Sequence, residues 1–553
     1  MPILNWIGKD AVINHHHDVP YRTLDKKYTF ANGKCVEAAD NVSADDENMI
    51  IHGDNLEALK ALMPKYEGLV KCIYIDPPYN TGNENWVYND NVNSPRIKKW
   101  LGQVVGKESE DLSRHDKWLC MMYPRLVLLK KLLADDGAIF ISIDDNEQAN
   151  LKLICDDIFG VGNFVACMPI HRQGGRQDSK YYAIVHEYLF CYAKRLDFFT
   201  AGVQIKENSV YPKYDENLHR YYKTQLLRKW GANSLRENRP NLYYPIIAPD
   251  GAEVYPIIYS KSSNNELQFD KIESCWRWGV NNMNNAIKEG RVEFVKNEIG
   301  DWVPYEKIFA PAEGECETKK YSSWLDEIGN GTKKLKEIFD GVSPFDYPKA
   351  VELLEIVLNM ANSDKNSIIL DSFAGSGTTA HAVLNLNKQD GGNRKFILVE
   401  MEDYAENITA ERVRRVIKGY GEGKNAKEGT GGSFTFYELG EPIFKEDGYL
   451  NESVGTEKLC EYIWYTETRK PYSRQTEGNL ASKGYLLGTH NDAAYYFYYE
   501  PDKATTLDKA FLNTITVKAD MYVIYADNCL LNDEFMHLNN IKFKKIPRDI
   551  KKI

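Results

Sequence analysis

What most constrains this chain is the rhythm of its apolar runs. From Asn48 onward short apolar segments alternate with longer amphipathic ones: MIIHGD, NLEALKALM, VKCIYID, HDKWLCMMYPRLVLLKKLL, AIFISID and NEQANLKLICDDIF. Strand, helix, strand, helix in this order predicts a parallel sheet with helices on its faces. Two more strand-like runs follow, FVACMPI and EYLFCYAKR, separated by HRQGGRQDSKYY. The rhythm stops near Leu196. It resumes at Tyr347 with KAVELLEIVLNM, SIILD, the loop SFAGSGTT, KFILVE and EDYAENITAERVRRVI. The intervening stretch is rich in Tyr, Trp, Asn and Pro and carries turn signals such as APDGAE, which predicts a domain inserted into an α/β unit.

At 553 residues the chain is too long for one ordinary domain. The expected layout is an N-terminal extension over 1–45, a first α/β part over 46–195, the insertion over 196–345, a second α/β part over 346–422, and a small mixed C-terminal domain over 423–553. With 43% hydrophobic and 27% charged residues a disordered or fibrous chain is excluded. No apolar run reaches membrane-span length, and MPILNWIGKD has neither a basic nor an apolar leader region, so a cytoplasmic protein without membrane contact is expected. A net charge of −11 argues against non-specific coating of nucleic acid, although a local basic surface is compatible with it. The ten cysteines stand singly, which predicts reduced thiols and no structural zinc. His15, His16 and His17 read as surface residues, and no metal site is expected.

Two motifs carry chemistry. Asp76, Pro77, Pro78 and Tyr79 follow directly on the apolar strand KCIYI, at the end of a parallel sheet where open α/β proteins bind ligands. The prolines stiffen the turn and remove two donors. What remains is a set of acceptors beside an aromatic face, suited to an exocyclic amine on a flat base. The second motif runs from Asp371 through Phe373, Ala374, Gly375 and Gly377 to Thr378, again from a strand end into a helix. It lacks the lysine of a nucleotide phosphate loop, which disfavours an NTPase. Glu400 ends the next strand about 20 residues on, where an acid can take a ribose hydroxyl pair. On mechanics alone, this loop and acid suit NAD and S-adenosylmethionine equally.

DPPYNTGNE followed by DSFAGSGTT resembles the β group of DNA amino-methyltransferases, in which the catalytic motif precedes the cofactor motif. More closely, HGDNLEALKAL, VKCIYIDPPYNTGNE, GAIFISIDDNE, HEYLFCYAK and FDYPKAVELLEIVLNM resemble the modification subunits of type III restriction-modification systems. The resemblance is strong over 48–195 and 346–418 and extends to layout alone elsewhere. It implies a circularly permuted, Rossmann-like methyltransferase sheet with an inserted target-recognition domain. It implies S-adenosylmethionine as cofactor: Phe373, Gly375 and Gly377, with Ala374 and Thr378 in the same loop, line the methionine part, Asp371 stands near its amino end, Glu400 holds the ribose, and Asp54 accepts from the adenine amine. Asp54 also suits the N-cap of NLEALKAL. Lys349 matches a family lysine for which no role is assigned.

The resemblance further implies double-stranded DNA as substrate, a homodimer, and a helicase-nuclease restriction subunit as partner. An aspartate at position 76 points to adenine N6 rather than cytosine N4, although these motifs do not separate DNA from RNA. A solitary adenine methyltransferase and a catalytically idle DNA-binding subunit are the alternatives. For target reading, Lys206 to Arg239 holds eight Lys/Arg against four Asp/Glu, interleaved with Tyr and Trp. Lys223, Arg228 and Arg236 there, and Arg172, Arg176 and Lys180 in the loop HRQGGRQDSKYY, are the candidate DNA contacts.

Overall fold

The computed structural model describes residues 4–37, 48–81, 99, 102–103, 113–171, 181–206, 210–231, 233–261, 269–312, 315–326, 328–472 and 484–548. The chain divides into two compact units, residues 1–202 with 321–553, and residues 203–320.

The larger unit is organised on a ten-stranded sheet. Its strands in chain order are β1 (Arg22–Ala31), β2 (Lys34–Glu37), β3 (Met49–His52), β4 (Val70–Ile75), β5 (Leu133–Ile143), β6 (Phe164–His171), β7 (His186–Ala193), β8 (Ile368–Asp371), β9 (Lys395–Glu400) and β10 (Ser433–Pro442). Their order across the sheet is β2-β1-β10-β3-β9-β8-β4-β5-β7-β6. The six central strands, β10 to β5, are parallel. Antiparallel pairs close both sides.

Central strands are covered on both faces, and so β4 (VKCIYI), β8 (IILD) and β9 (KFILVE) read as nearly continuous apolar runs. One face is packed by α1 (Asn55–Tyr66), α2 (Arg114–Leu132) and α3 (Gln148–Phe159), through Leu59, Leu62, Leu126, Leu129 and Ile154. The other is packed by α4 (Val351–Met360), α5 (Thr378–Asp390) and α6 (Glu411–Lys418), through Leu354, Val357, Val383, Val413 and Val416. Helix starts follow from local chemistry. Asp54 caps α1 by accepting from the Leu56 and Glu57 N–H groups, and Ser113 and Asp116 form a reciprocal capping box on α2.

Three strands lie outside the stretch whose rhythm predicts the sheet. β1 and β2 fall in the segment expected to be an irregular extension, and β10 falls beyond residue 422, where a separate C-terminal domain was expected to begin. β1 reads as polar because most of its side chains stay partly exposed, so no apolar alternation marks it. β10 inserts between β1 and β3, burying Phe434, Phe436 and Tyr437. The insertion is also narrower than the composition shift suggested. Leu325 accepts from the His171 N–H at 2.8 Å, and the helix Gly331–Ile338 buries Leu335 and Ile338, so 321–345 belongs to the larger unit.

The smaller unit holds a four-stranded sheet of Val292–Lys296, Trp302–Phe309, Arg220–Leu226 and Lys213–Asp215 in that order, over a core of Leu227, Trp276 and Met283. In the C-terminal region a second four-stranded sheet, Leu486–His490, Ala493–Phe497, Met521–Ala526 and Ile541–Lys545, packs on the helix Thr456–Thr468. His16 corrects the expectation of a surface histidine run. It is buried in a short helix, burial pushes its imidazole down to about 4, and its carbonyl accepts from Lys60 Nζ at 2.7 Å. The ten cysteines are free. Among the described residues no helix is long and apolar enough to cross a membrane, and no group of His, Cys, Asp and Glu could hold a metal ion.

The placement of β10 makes a prediction. A chain ended after Gly432 loses a strand paired on both sides and three buried aromatics, a loss on the order of 5 kcal/mol or more, comparable to a domain's whole stability. Thermal melting and limited proteolysis should show it unfolded, and a melt matching the full chain would refute the placement.

Candidate active site

Four neighbouring parallel strands, β3, β9, β8 and β4, deliver the sequence motifs to one edge. Their C-terminal ends carry Asp54, Glu400, the loop from Asp371, and Asp76, respectively. At about 4.8 Å between strands the row is about 15 Å across. From β8 the chain proceeds through α5 to β9 on one side, and from β4 through α2 to β5 on the other, so the β8/β4 boundary is the point where strand order diverges. Such a boundary opens a crevice at the carboxyl ends of the strands. Asp371 and Asp76 stand on either side of it.

The turn after β4 is held rigidly from below. Trp118 Nε1–H of α2 donates to the Pro78 carbonyl at 2.7 Å. Asn80 adopts left-handed backbone, φ 56°, and its amide donates to the buried Glu147 carboxylate and to the Arg114 carbonyl at 3.1 Å. Glu147 is engaged further by His115 Nδ1 at 2.6 Å and Asn150 Nδ2 at 2.8 Å. Above this base, Lys349 Nζ lies 3.2 Å from Asp76 Oδ1, 2.9 Å from Glu187 Oε2 and 2.6 Å from Tyr79 Oη. The Tyr79 hydroxyl donates to Glu187 Oε2 at 2.9 Å. Burial raises the Asp76 carboxyl above its ordinary value, the Lys349 charge draws it back, and Glu187 pushes in the same direction as burial.

The glycine loop is built from its own acids. Asp371 accepts from the Phe373 N–H at 3.0 Å and from the Thr379 hydroxyl at 2.5 Å. Glu400 accepts from the Gly375 N–H at 2.8 Å and the Glu402 N–H at 3.0 Å. Gly375 and Gly377 have φ of 51° and 77°, and a Cβ at these positions would meet the Phe345 ring at 3.2 Å and the Thr409 carbonyl at 3.1 Å. Their requirement is therefore left-handed backbone and tight packing beneath the loop. Ala374 is buried and its N–H donates to the Val399 carbonyl at 3.1 Å, while Phe373 packs partly buried against the α1–α3 core. Arg412, fully buried on α6, donates to Ser376 Oγ at 2.8 Å and Thr378 Oγ1 at 2.7 Å, and burial brings its guanidinium down to about 9.

The row is acidic. Burial above all pushes both Asp371 and Glu400 up to about 7, with the neighbouring Asp76 and Glu400 charges contributing to the rise at Asp371. Asp54 remains partly exposed at its strand end and faces the buried Arg125 at 3.5 Å. Asn55 beside it donates to the Ser372 carbonyl at 3.3 Å, which ties the start of α1 to the glycine loop.

Sequence reasoning missed Glu187, Glu147, Asn80, Asn55 and Arg412, and left Lys349 without a role. The available signals were an acid inside the apolar strand HEYLFCYA and an arginine on the buried face of ERVRRVI. Of the candidate DNA contacts, Arg172, Arg176 and Lys180 lie outside the described residues. The other three lie in the smaller unit. Lys223 pairs with Glu317 at 2.7 Å and Arg236 with Glu273 at 2.8 Å, while Arg228 is partly buried and its guanidinium lowered by burial. Tyr221 and Trp230 of the same unit are exposed.

Residues 70–411 match the family model described as DNA methylase. The chain is 34% identical over 424 residues to the type III restriction-modification enzyme EcoPI Mod subunit of Escherichia phage P1, an alignment covering 72% of this chain and 63% of that protein. It is 35% identical over 375 residues to the StyLTI Mod subunit of Salmonella typhimurium, covering 66% and 53%. It thus spans between half and two thirds of the length of these two Mod subunits. To the type II methyltransferase M.KpnI of Klebsiella pneumoniae it is 36% identical over 356 residues, covering 63% of this chain and 79% of that protein. The matched segment takes in the Asp76 turn, the glycine loop and the strands that set them side by side, and by this match the chain belongs to the DNA methylase family.

Proposed function

We propose that this chain is a site-specific DNA adenine-N6 methyltransferase that uses S-adenosylmethionine, with Asp76, Pro77, Pro78 and Tyr79 as its catalytic turn. The observation that carries the reading is the adjacency of that turn and the acid-held glycine loop at the carboxyl ends of the paired strands β4 and β8. The charge of the site supports the cofactor. Buried carboxyls that raise one another favour a cationic ligand, such as a sulfonium with an α-ammonium group, over the diphosphate of NAD. In this reading Glu400 takes the ribose hydroxyls, Asp54 the adenine amine, and Phe373, Gly375 and Gly377 the methionine part, with Asp371 shaping the loop. Bound there, S-adenosylmethionine supplies an electrophilic methyl group on sulfur.

The chain's own residues supply the rest. An adenine amine is a weak nucleophile because its lone pair is delocalised into the ring. Asp76 and the Pro77 carbonyl accept the two N6 hydrogens, which draws the nitrogen toward sp³ and stabilises its developing positive charge. Tyr79 stacks on the base after it has left the duplex. Rigid support beneath the turn, from Trp118 and Asn80, means these acceptors need little reorganisation during transfer.

The Mod-subunit relatives support a subunit of a type III restriction-modification enzyme, and the resemblance adds a homodimer, a helicase-nuclease partner and a cytoplasmic location to the proposal. M.KpnI, named as a type II methyltransferase and covered over 79% of its length, supports a second reading as a methyltransferase without such a partner. Whether a helicase-nuclease subunit co-purifies with this chain from its native cells separates the two. The smaller unit, with Tyr221 and Trp230 exposed, is proposed to read the target sequence.

Three outcomes are expected. DNA from cells expressing this chain should carry N6-methyladenine at one sequence motif, and Asp76→Ala should lower single-turnover methyl transfer by about 10² to 10³ while cofactor and DNA binding persist. Near wild-type transfer by that variant would sink the mechanism. Exchanging residues 203–320 for the equivalent unit of a relative should change the methylated motif, and a folded, active chimera that marks the original motif would place recognition elsewhere.

The third outcome concerns pH. Glu400 accepts the ribose as a carboxylate, so cofactor affinity measured by calorimetry should fall about tenfold between pH 8 and pH 6, and Glu400→Gln should flatten that dependence. Stability of the unliganded protein runs the other way. A carboxyl raised on folding from 4.5 to about 7 contributes stability that is present below its unfolded value and is lost as pH rises through about 7.

A further inference from the structure

Lys349 gives the site an arrangement that the proposed roles leave unused. Its ammonium donates to Glu187 Oε2 at 2.9 Å and to Tyr79 Oη at 2.6 Å, and pairs with Asp76 Oδ1 at 3.2 Å, a buried oxygen that accepts no hydrogen bond. All four residues are buried or partly buried. They come from the β4 turn, from β7, and from the segment leading into α4, so a lysine from the half of the sheet that follows the insertion is placed against the acid of the half that precedes it. The Tyr79 hydroxyl both accepts from Lys349 and donates to Glu187, and Lys349 Nζ lies 4.9 Å from the Tyr79 ring centre. The ring is thereby fixed at its far end.

We propose that Lys349 and Glu187 are positioning residues for methyl transfer: Lys349 keeps Asp76 a charged acceptor beside a second buried acid, and the two together fix the Tyr79 ring for the incoming base. The inference rests on the reading of this turn as the methyl-transfer site. Two buried carboxylates that both lie within 3.2 Å of one ammonium would not both stay ionised without it, and one would take a proton. A protonated Asp76 is a donor at one oxygen and no longer draws on both amine hydrogens with its neighbouring carbonyl. The groups that bear on Asp76 are Lys349 before α4, Glu187 on β7, Tyr74 on its own strand, Tyr79 in its own turn and Asp371 on the adjacent strand. Lys349 is the cation of this set, so its removal and the removal of the Glu187 charge must act in opposite directions.

That opposition is the test. The Asp76 carboxyl is followed in the full-length chain by infrared difference spectroscopy against Asp76→Asn, and the pH profile of single-turnover methyl transfer is measured on DNA carrying the methylated motif. Lys349→Met should move both the carboxyl titration and the acid limb of the profile upward by about one pH unit or more. Glu187→Gln should move both downward, and Lys349→Arg should titrate near the wild type with slower transfer because its fork does not reproduce three point contacts. If Lys349→Met does not fold, the near-isosteric Glu187→Gln and the charge-keeping Lys349→Arg still decide. Shifts in the same direction, or none, in folded variants overturn the proposal. Opposite infrared shifts in a protein that transfers no methyl group would uphold the charge role at Asp76 and remove the transfer reading instead.

Discussion

The parallel pairing of β8 with β4 is the constraint on which the rest of the site depends. Residues 368–371 and 70–75 lie on opposite sides of the insertion, and their hydrogen bonds are what bring the glycine loop beside the Asp76 turn. A slip of one residue would turn every side chain of β8 to the opposite face of the sheet and carry Asp371 away from Asp76. Register is held by burial on both faces: Ile369 and Leu370 each enter a different core. The helices on the two sides thus fix the chemistry as well as the fold.

Around that pairing the chain accepts an unfavourable concentration of charge. Asp76, Asp371, Glu187 and Glu400 are all buried near one edge. Hydrogen bonds from Phe373, Gly375, Thr379 and Glu402 offset part of the desolvation, and Lys349 offsets another part. Local strain and buried charge at a functional edge are what a stability optimum would remove. In the proposed reading they prepare a place for a positively charged ligand and for an amine that becomes cationic as it reacts.

Much of this was legible in the sequence. Central strands read clearly because burial on both faces leaves continuous apolar runs, and the two motifs declared themselves because their strands point them to one edge. β1 did not read, since most of its side chains alternate only between partly exposed and exposed positions. The clamp at Lys349 was illegible for a different reason. Its partners are 162 and more residues away, and no local pattern links a lysine before one helix to a glutamate within another strand. The glycines were found, but the reason for them lay in Phe345 and Thr409, which carry no motif.

The permuted strand order also bears on how the chain comes to be folded. During synthesis β4 emerges with one edge complete toward β5, while its other partner, β8, follows about 300 residues later. At about 5 to 20 residues per second that is roughly 15 to 60 s in which an apolar strand edge stands open. Such an edge is a template for pairing with the wrong chain. The newly made N-terminal half therefore carries an open apolar strand edge until the residues beyond the insertion have been made, and each residue of the insertion lengthens that wait.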